Sequence, residues 1–373
     1  LVSRNAPSSI DDFAYFIRAV RDTNYTRARF ADGATVLHEA VRYDHRGYLS
    51  FFLERGVPVD AKNASGATAL HDAVRLGRLD AARLLLARKA DPNAVDGSGD
   101  APLHIALPGS AGQVAVDLLL DAGASTSIKN RAGNTALHLA VALGYGQPMI
   151  ERLIAAGSPV DAANADGDTA LALAMRRRNE ALATTLAGRG ASMYVKNLKG
   201  ETPLSIALAD GPSSTRILVA ASPKGAKDES GDSPYHHATR LRSDPGDIAV
   251  LSELGLDPSA RNNEGDTALH LAARLRAEAQ GLALLAAGSD PLLANAAGAT
   301  PLTTALTASG GPLVWFFTPE VLAAEDPSGN GPLHHAAMAG LADGAAYLAR
   351  LGVPVDGKND DGQPPKSHPE LFG

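Results

Sequence analysis

The sequence predicts an all-α fold, built from one helix–turn–helix unit that is repeated along most of the 373 residues. Glycine recurs at intervals of 31 to 34 residues, from Gly33 to Gly362. Each interval holds two short segments with apolar residues at helical spacing, for example Leu70, Ala73 and Val74. Isolated helices shorter than about 12–15 residues are marginal in water. We therefore expect the units to stack on one another as one elongated array.

Residues 63–96 illustrate how each element of the unit is specified. Gly66 favours a tight turn, because glycine adopts a positive φ without strain. Thr68 is expected to cap the first helix, and Gly77 to end it in the left-handed conformation. A second apolar helix follows directly, and a turn segment then leads to the next glycine.

A six-residue motif follows the recurring glycine. It reads TALHDA from Thr68 and TALHLA from both Thr135 and Thr267, with looser copies in other units. A period of about 33 residues with a T-P-L-H-x-A motif is typical of ankyrin repeats. The chain therefore resembles an ankyrin-repeat protein over roughly residues 29–362. The resemblance implies a curved solenoid with short β-hairpin-like turns, in which turn tips and first helices line a concave groove.

The resemblance also predicts a role for the motif histidine, which in ankyrin repeats forms hydrogen bonds within its own motif and to the neighbouring loop. Seven histidines share this position: His38, His71, His104, His138, His236, His270 and His334. Because they occur once per repeat, they are too far apart to share a tetrahedral metal ion. We expect no metal site and no cofactor.

Three segments are predicted along the chain. Residues 1–29 form an N-terminal arm and a capping helix, in which Ser9 and Asp12 provide the capping signal. Residues 30–361 form ten ankyrin-like repeats. Residues 362–373 form a partial C-terminal cap or tail, because Lys366 stands where a core leucine would be.

Two repeats depart from the regular pattern. One has its second helix confined between Pro212 and Pro223, followed by a polar loop that extends to Ser233. The other carries the sequence GGPLVWFFTPEVLAAEDP in place of the usual second helix and loop, and it contains Trp315, the single tryptophan of the chain.

Composition and motifs exclude several classes of function. The net charge of -7 disfavours binding to nucleic acid, which requires a basic surface. No apolar run reaches the roughly 18 residues of a membrane span. The chain has neither a nucleophile elbow nor a phosphate-binding loop, and no HExxH motif. We therefore expect no enzymatic activity.

The candidate binding residues lie nine residues after the repeat glycine, at the end of the first helix. Five repeats have arginine there, namely Arg42, Arg75, Arg176, Arg240 and Arg274. Repeats five to eight are acidic directly after the glycine, at the turn tip. These charges could form exposed ion pairs of little energetic consequence. Alternatively, the arginines could bind carboxylates of a partner in bidentate fashion. Trp315, expected on the second-helix side of repeat nine, is a further candidate.

The predicted function is that of a non-catalytic scaffold that binds a partner protein or peptide, one with an acidic segment, as a monomer. The alternative is a targeting module of a larger effector or enzyme whose catalytic domain lies outside this chain. A third reading is a structural spacer without a groove ligand. The chain begins with Leu1, so a cytoplasmic location and, after removal of a signal peptide, a periplasmic or secreted one stay open. The excess of arginine over lysine and the abundance of alanine favour a bacterial source.

Overall fold

The computed structural model describes residues 26–109 and 111–365. These residues contain twenty α-helices, one 3-10 helix and no β-strand, which confirms the all-α prediction. The predicted N-terminal capping helix and most of the predicted C-terminal segment lie outside the described residues. The chain divides into two compact units, which are described one after the other.

The first unit extends to Arg177 and also includes Asn197–Lys199. The first four of its short first helices each pack on the longer second helix of their own pair and on the first helix of the next pair. The helices are α1 (Val36–Arg42), α2 (Arg46–Glu54), α3 (Ala69–Arg75), α4 (Leu79–Ala87), α5 (Pro102–Ala106), α6 (Gly112–Asp121), α7 (Ala136–Ala142), α8 (Gln147–Ala155) and α9 (Ala170–Arg176).

The second unit comprises Arg178–Lys196 and the chain from Gly200 onward. Its helices are α10 (Glu180–Gly188), α11 (Pro203–Asp210), α12 (Pro212–Ala221), α13 (Pro234–Leu241), α14 (Pro245–Glu253), α15 (Ala268–Leu275), α16 (Glu278–Ala286), α17 (Pro301–Leu306), α18 (Pro319–Leu322), α19 (Pro332–Met338) and α20 (Ala342–Arg350). The 3-10 helix Val314–Phe316 precedes α18.

The core of each unit consists of apolar side chains from both helices of a pair. In the first unit Leu70 and Leu137 of first helices, and Leu85 and Leu119 of second helices, are completely buried. Burial of one such side chain stabilises the fold by about 1.5–3 kcal/mol. The helices are too short to persist alone, so this packing between neighbours is what makes them stable.

At most repeat glycines the next turn approaches so closely that a Cβ would overlap its backbone or side chain. A Cβ added to Gly66, whose φ is +79°, would lie 2.7 Å from the backbone nitrogen of Gly97. At the same point the Gly97 N–H donates a 2.7 Å hydrogen bond to the Ser65 carbonyl. Corresponding turn-to-turn backbone bonds recur in both units, for example from Ala165 to Ala132 and from Asn263 to Ser230.

The two irregular repeats take different structures. The segment that begins at Pro212 forms a complete ten-residue helix, α12. In the other repeat the second helix is absent, and a 3-10 turn followed by the four-residue α18 takes its place. Trp315 therefore lies in a 3-10 turn and not on a second helix, because prolines at both ends of the segment interrupt a longer helix.

Candidate functional site

Most turns begin with an asparagine that both shapes its own turn and contacts the preceding one. The Oδ1 of Asn262 accepts 3.0 Å hydrogen bonds from the backbone N–H groups of Glu264 and Asp266. Its Nδ2 donates a 2.9 Å hydrogen bond to Oδ1 of Asp232, at the tip of the preceding turn. Asn130, Asn164, Asn197, Asn295 and Asn359 repeat this arrangement. One oxygen of each tip residue they contact is therefore occupied.

The second oxygen of three tip aspartates binds the arginine of the same repeat. Asp168 pairs with Arg176 in the first unit at 2.6 Å. In the second unit Asp232 pairs with Arg240 at 2.5 Å, and Asp266 pairs with Arg274. The aspartate side chains are only 1–5% exposed, whereas those of the arginines are 33–54% exposed. Each guanidinium is thus anchored at the base of the turn, with part of its surface in solvent.

Hydrogen bonds and a neighbouring arginine favour the charged forms of Asp232 and Asp266. Burial alone would raise the pKa of Asp232, but the hydrogen bond from Asn262 and the charge of Arg240 outweigh it and lower the pKa. The pKa of Asp266 is lowered in the same way, by Asn295 and Arg274 against the effect of burial.

The first two arginines are paired differently, because alanine occupies the turn tip in their repeats. Arg42 contacts Asp32 at 2.8 Å, Glu39 at 2.6 Å and Asp72 at 3.3 Å. Arg75 contacts the other oxygen of Asp72 at 2.8 Å. All five candidate arginines therefore have a carboxylate partner in the protein.

The second unit brings two of the five arginines into one cleft. It has a volume of about 510 Å³, and we call it the Arg240–Arg274 cleft. First-helix and tip residues line one side, and exposed turn residues line the other. The lining residues are Glu229, Ser230, Asp232, His236, Arg240, Asn262, Asn263, Glu264, Leu271 and Arg274.

Trp315 lies apart from this cleft, in the 3-10 turn described above. Its six-membered ring packs directly against Gly281 of α16, where an added Cβ would come within 2.2 Å of the indole. Its ring also forms an edge contact with Phe316, with centroids 5.6 Å apart. The indole is half-buried, so much of its surface is used for packing within the second unit.

The motif histidines occupy the position that the resemblance predicts. Nε2 of His138 lies 3.0 Å from the Asp168 carbonyl of the next turn, and therefore carries the proton. Its Nδ1 accepts from the backbone N–H of Thr135 and lies 2.8 Å from the Thr135 hydroxyl. Burial lowers the pKa of His138, although the bond to the Asp168 carbonyl acts in the opposite direction. The hydrogen-bonding role expected for this histidine is confirmed.

The threonine of the motif is the N-cap residue of its helix, and its hydrogen bonds differ from repeat to repeat. Thr68 forms no capping hydrogen bond, and its hydroxyl lies 2.8 Å from Nδ1 of His71. Where the histidine is absent, the threonine does cap its helix, as Thr169 does for the N–H of Ala172 at 3.2 Å. Thr68 is the N-cap residue of α3, as expected, but its hydroxyl contacts His71 instead of a backbone N–H.

Residues 26–109 and 111–365 contain one group of three side chains able to ligate a metal ion, namely Asp228, Asp232 and His237, with ligand atoms within 4.8 Å of one another. Nε2 of His237 is 3.0 Å from Asp228, and Asp232 is held by Asn262 and Arg240. A cation would have to displace the guanidinium of Arg240, so the group is satisfied by contacts within the protein.

Sequence reasoning missed one set of surface residues. The position after the candidate arginine position holds a leucine that is 37–50% exposed in four repeats: Leu76, Leu143, Leu241 and Leu275. The signal was available as a leucine ten residues after four of the repeat glycines, but it is indistinguishable from a core position of an amphipathic helix.

Comparison with known families agrees with the repeat pattern. The family model described as ankyrin repeats (3 copies) matches residues 9–96 and 103–197. No curated protein matches the chain. None of the helices in the described residues is both long enough and apolar enough to cross a membrane. The 33-residue period, the stacked helix pairs and the family match together show that the chain belongs to the ankyrin-repeat family.

Proposed function

We propose that the chain is a non-catalytic scaffold that binds a partner protein or peptide as a monomer and binds no nucleic acid. Ankyrin repeats generally mediate protein–protein interaction and are typically non-catalytic. The residues proposed to contact the partner are Arg42, Arg75 and Arg176 in the first unit and Arg240 and Arg274 in the second. The observation that supports this most is the Arg240–Arg274 cleft.

The anchoring of the two guanidinium groups favours binding. Free arginine side chains lose rotamer entropy when they bind a ligand, which weakens association. Asp232 and Asp266 already restrict Arg240 and Arg274, so less freedom remains to be lost. A guanidinium has five N–H donors in a fixed fork. The side of each guanidinium that faces solvent can therefore donate to a carboxylate of a partner.

Charges in the cleft specify a partner of mixed charge. Glu229 and Glu264 are exposed on the turn side, whereas Arg240 and Arg274 are exposed on the helix side. With Asp232, the three carboxylates of the cleft outnumber its two guanidinium groups. A wholly acidic segment would be repelled by the turn side. We therefore propose a segment whose carboxylates face the arginines and whose donors face the glutamates.

The test must remove the arginines without leaving buried aspartates unpaired. Repeat four combines Asn134 at the tip with Ala142 at the arginine position. The variant Asp232→Asn/Arg240→Ala/Asp266→Asn/Arg274→Ala copies that combination into two repeats. Peptides selected by the full chain from a displayed random library are then titrated against both proteins. We expect at least a tenfold loss of affinity in the variant, and weaker binding as salt rises above about 0.1 M.

The control removes a charge-matched ion pair elsewhere in the second unit. Arg216 and Glu253 form an exposed pair between α12 and α14, so Arg216→Ala/Glu253→Ala should leave peptide affinity unchanged. Peptides whose affinity is indifferent both to salt and to the four-residue variant would show that the cleft is not the site. The surface around Trp315 would then be the next candidate.

A further inference from the structure

Exposed leucines next to the arginine position add apolar surface beside the charged cleft. In the second unit, helices α13 and α15 both end in an arginine followed by an exposed leucine: Arg240 with Leu241, and Arg274 with Leu275. Single exposed leucines are ordinary on protein surfaces. Here the same pair occurs at the same place on two helices that pack against each other.

Leu241 and Leu275 each directly follow an arginine that lines the cleft, although the leucines are not lining residues themselves. Leu275 follows Leu271 by four residues, so the two side chains are neighbours on one helical face. Leu271 is part of the cleft lining. Leu241 holds the corresponding position on α13, four residues after His237. The two exposed leucines therefore lie at the same end of their helices as Arg240 and Arg274, one helical turn beyond Leu271 in the case of Leu275.

Two further arginines fix these helix ends and add charge beside the leucines. Arg242 donates a 2.5 Å hydrogen bond to the carbonyl of Leu275, and Arg276 donates to that of Ser309. Both have a left-handed backbone, with φ of 51° and 52°. Other repeats place glycine there, for example Gly77, because a side chain in this conformation is strained. The helix ends thus form a rigid wall that is both cationic and apolar.

The distance between α13 and α15 determines how many residues of a bound extended segment separate one arginine–leucine pair from the next. Packed helices lie about 8–10 Å apart, and an extended chain advances about 3.3 Å per residue. One step from α13 to α15 therefore corresponds to three residues of an extended segment. In a flat strand successive side chains point in opposite directions. In a chain twisted as in polyproline II, every third side chain points in a similar direction.

We infer that the partner presents an extended segment in which an acidic residue and an adjacent apolar residue recur as a pair every three residues. The acidic member binds Arg240 or Arg274, and the apolar member covers Leu241 or Leu275. Complementarity of charge with the four arginines of the wall selects this partner over a purely apolar one. The inference rests on the proposed function and specifies the class of partner.

Two synthetic peptides of identical composition test the inference. One repeats Glu-Leu-Ser four times, and the other reads ELELSSELELSS, so that its Glu–Leu pairs recur at alternating intervals of two and four residues. Both are labelled and titrated against the full chain by fluorescence anisotropy. We expect the regular peptide to bind at least tenfold more tightly, and Leu241→Ser/Leu275→Ser to abolish that difference.

The matched control is Leu282→Ser, because Leu282 is 40% exposed but lies on the second helix α16. It should leave both affinities unchanged. The leucine variant should fold, because Asp210 stands at the same repeat position in α11, and a melting curve verifies this. If it does not fold, Leu241→Gln/Leu275→Gln replaces it.

The outcomes separate the two proposals. Equal affinity of the two peptides, absence of binding by both, or indifference to the leucine variant overturns the inference. If acidic peptides from the library still depend on Arg240 and Arg274, the proposed function survives that result. Loss of this arginine dependence contradicts the proposed function itself.

Discussion

The hydroxyl of the motif threonine makes two kinds of hydrogen bond in this chain, and that of Thr35 makes both. Beside a histidine, as in Thr135 with His138, the hydroxyl donates to the unprotonated Nδ1. Beside a residue without such an acceptor, as in Thr169 with Ala172, it accepts from the backbone and caps the helix. Each use satisfies one buried polar group that would otherwise be unpaired.

Substitution at this position is expected to change stability in both directions. Thr135→Ala removes a buried 2.8 Å hydrogen bond and should lower the free energy of unfolding by about 1 kcal/mol. Ala101 stands at the equivalent position before His104, so Ala101→Thr should raise it by about 0.5–1 kcal/mol. Urea unfolding of both variants measures this. Equal stability of Thr135→Ala and the unmodified chain would contradict the hydrogen-bond argument.

At the scale of elements, the ninth repeat shows how a stack accommodates a missing helix. The 3-10 turn Val314–Phe316 is too short to cover α16, and the indole of Trp315 fills the space instead. Phe316 is buried, and Phe317 contacts Tyr347 of α20 with ring centroids 5.2 Å apart. Large aromatic side chains thus replace the surface that a second helix would provide.

A double-mutant cycle tests this packing. Gly281→Ala should lower stability by about 1–3 kcal/mol, because the new Cβ overlaps the indole of Trp315. In a Trp315→Ala background the same change should be neutral or stabilising by up to about 1 kcal/mol, since alanine favours helix over glycine. Thermal and urea unfolding give the four stabilities. A destabilisation by Gly281→Ala that persists without Trp315 would exclude the indole as its cause.

At the scale of the whole molecule, the fold was predictable because its information is local and repeated. The spacing of the glycines from Gly33 to Gly362 defines every repeat, and apolar residues at helical spacing define the helices. The exception is the segment around Trp315, where the residues still look apolar but prolines prevent a helix. The apolar residues of this segment indicate that it covers a neighbouring helix. Periodicity alone does not predict which backbone structure the segment takes to do so.

The site was less accessible to sequence reasoning. The arginine position was visible, but Arg240 is eight residues from Asp232, a separation that no helical rule connects. The pair forms because the turn folds back onto the end of its own helix. The outward direction of Leu241 and Leu275 is likewise set by the neighbouring helices and not by the residues themselves. Whether the arginines bind a partner stays a prediction.

Buried neutral histidines should make the protein less stable in mild acid. Burial lowers the pKa of five motif histidines: His38, His71, His138, His236 and His270. The unfolded chain has a histidine pKa near 6.5, so below about pH 6.5 it binds more protons than the folded chain. This contribution to stability is complete above about pH 6.5 and is lost as the pH falls toward the lowered values.

We therefore expect the urea midpoint to fall between about pH 7.5 and pH 5.5. His138→Ser should reduce this pH dependence, because serine does not titrate in this range. Ser205 occupies the motif position in repeat six, so the fold accepts serine there. The carboxylates with lowered pKa, such as Asp232, titrate well below this window and do not contribute to the change. A midpoint that rises on acidification would contradict the assignment of neutral histidines.

The turn asparagines also determine how such a chain can change in length. Asn130, Asn164, Asn262 and Asn295 each donate from the same atom to the same position of the turn about thirty residues earlier. Any two of these hydrogen bonds between neighbouring turns are therefore equivalent in geometry. Duplication of a repeat that has both the asparagine and an asparagine or aspartate at its turn tip gives each copy a matching partner, whereas gain or loss of half a repeat leaves two turns unmatched. Recombination at the level of the gene can therefore lengthen or shorten the protein in whole repeats without a new interface having to evolve.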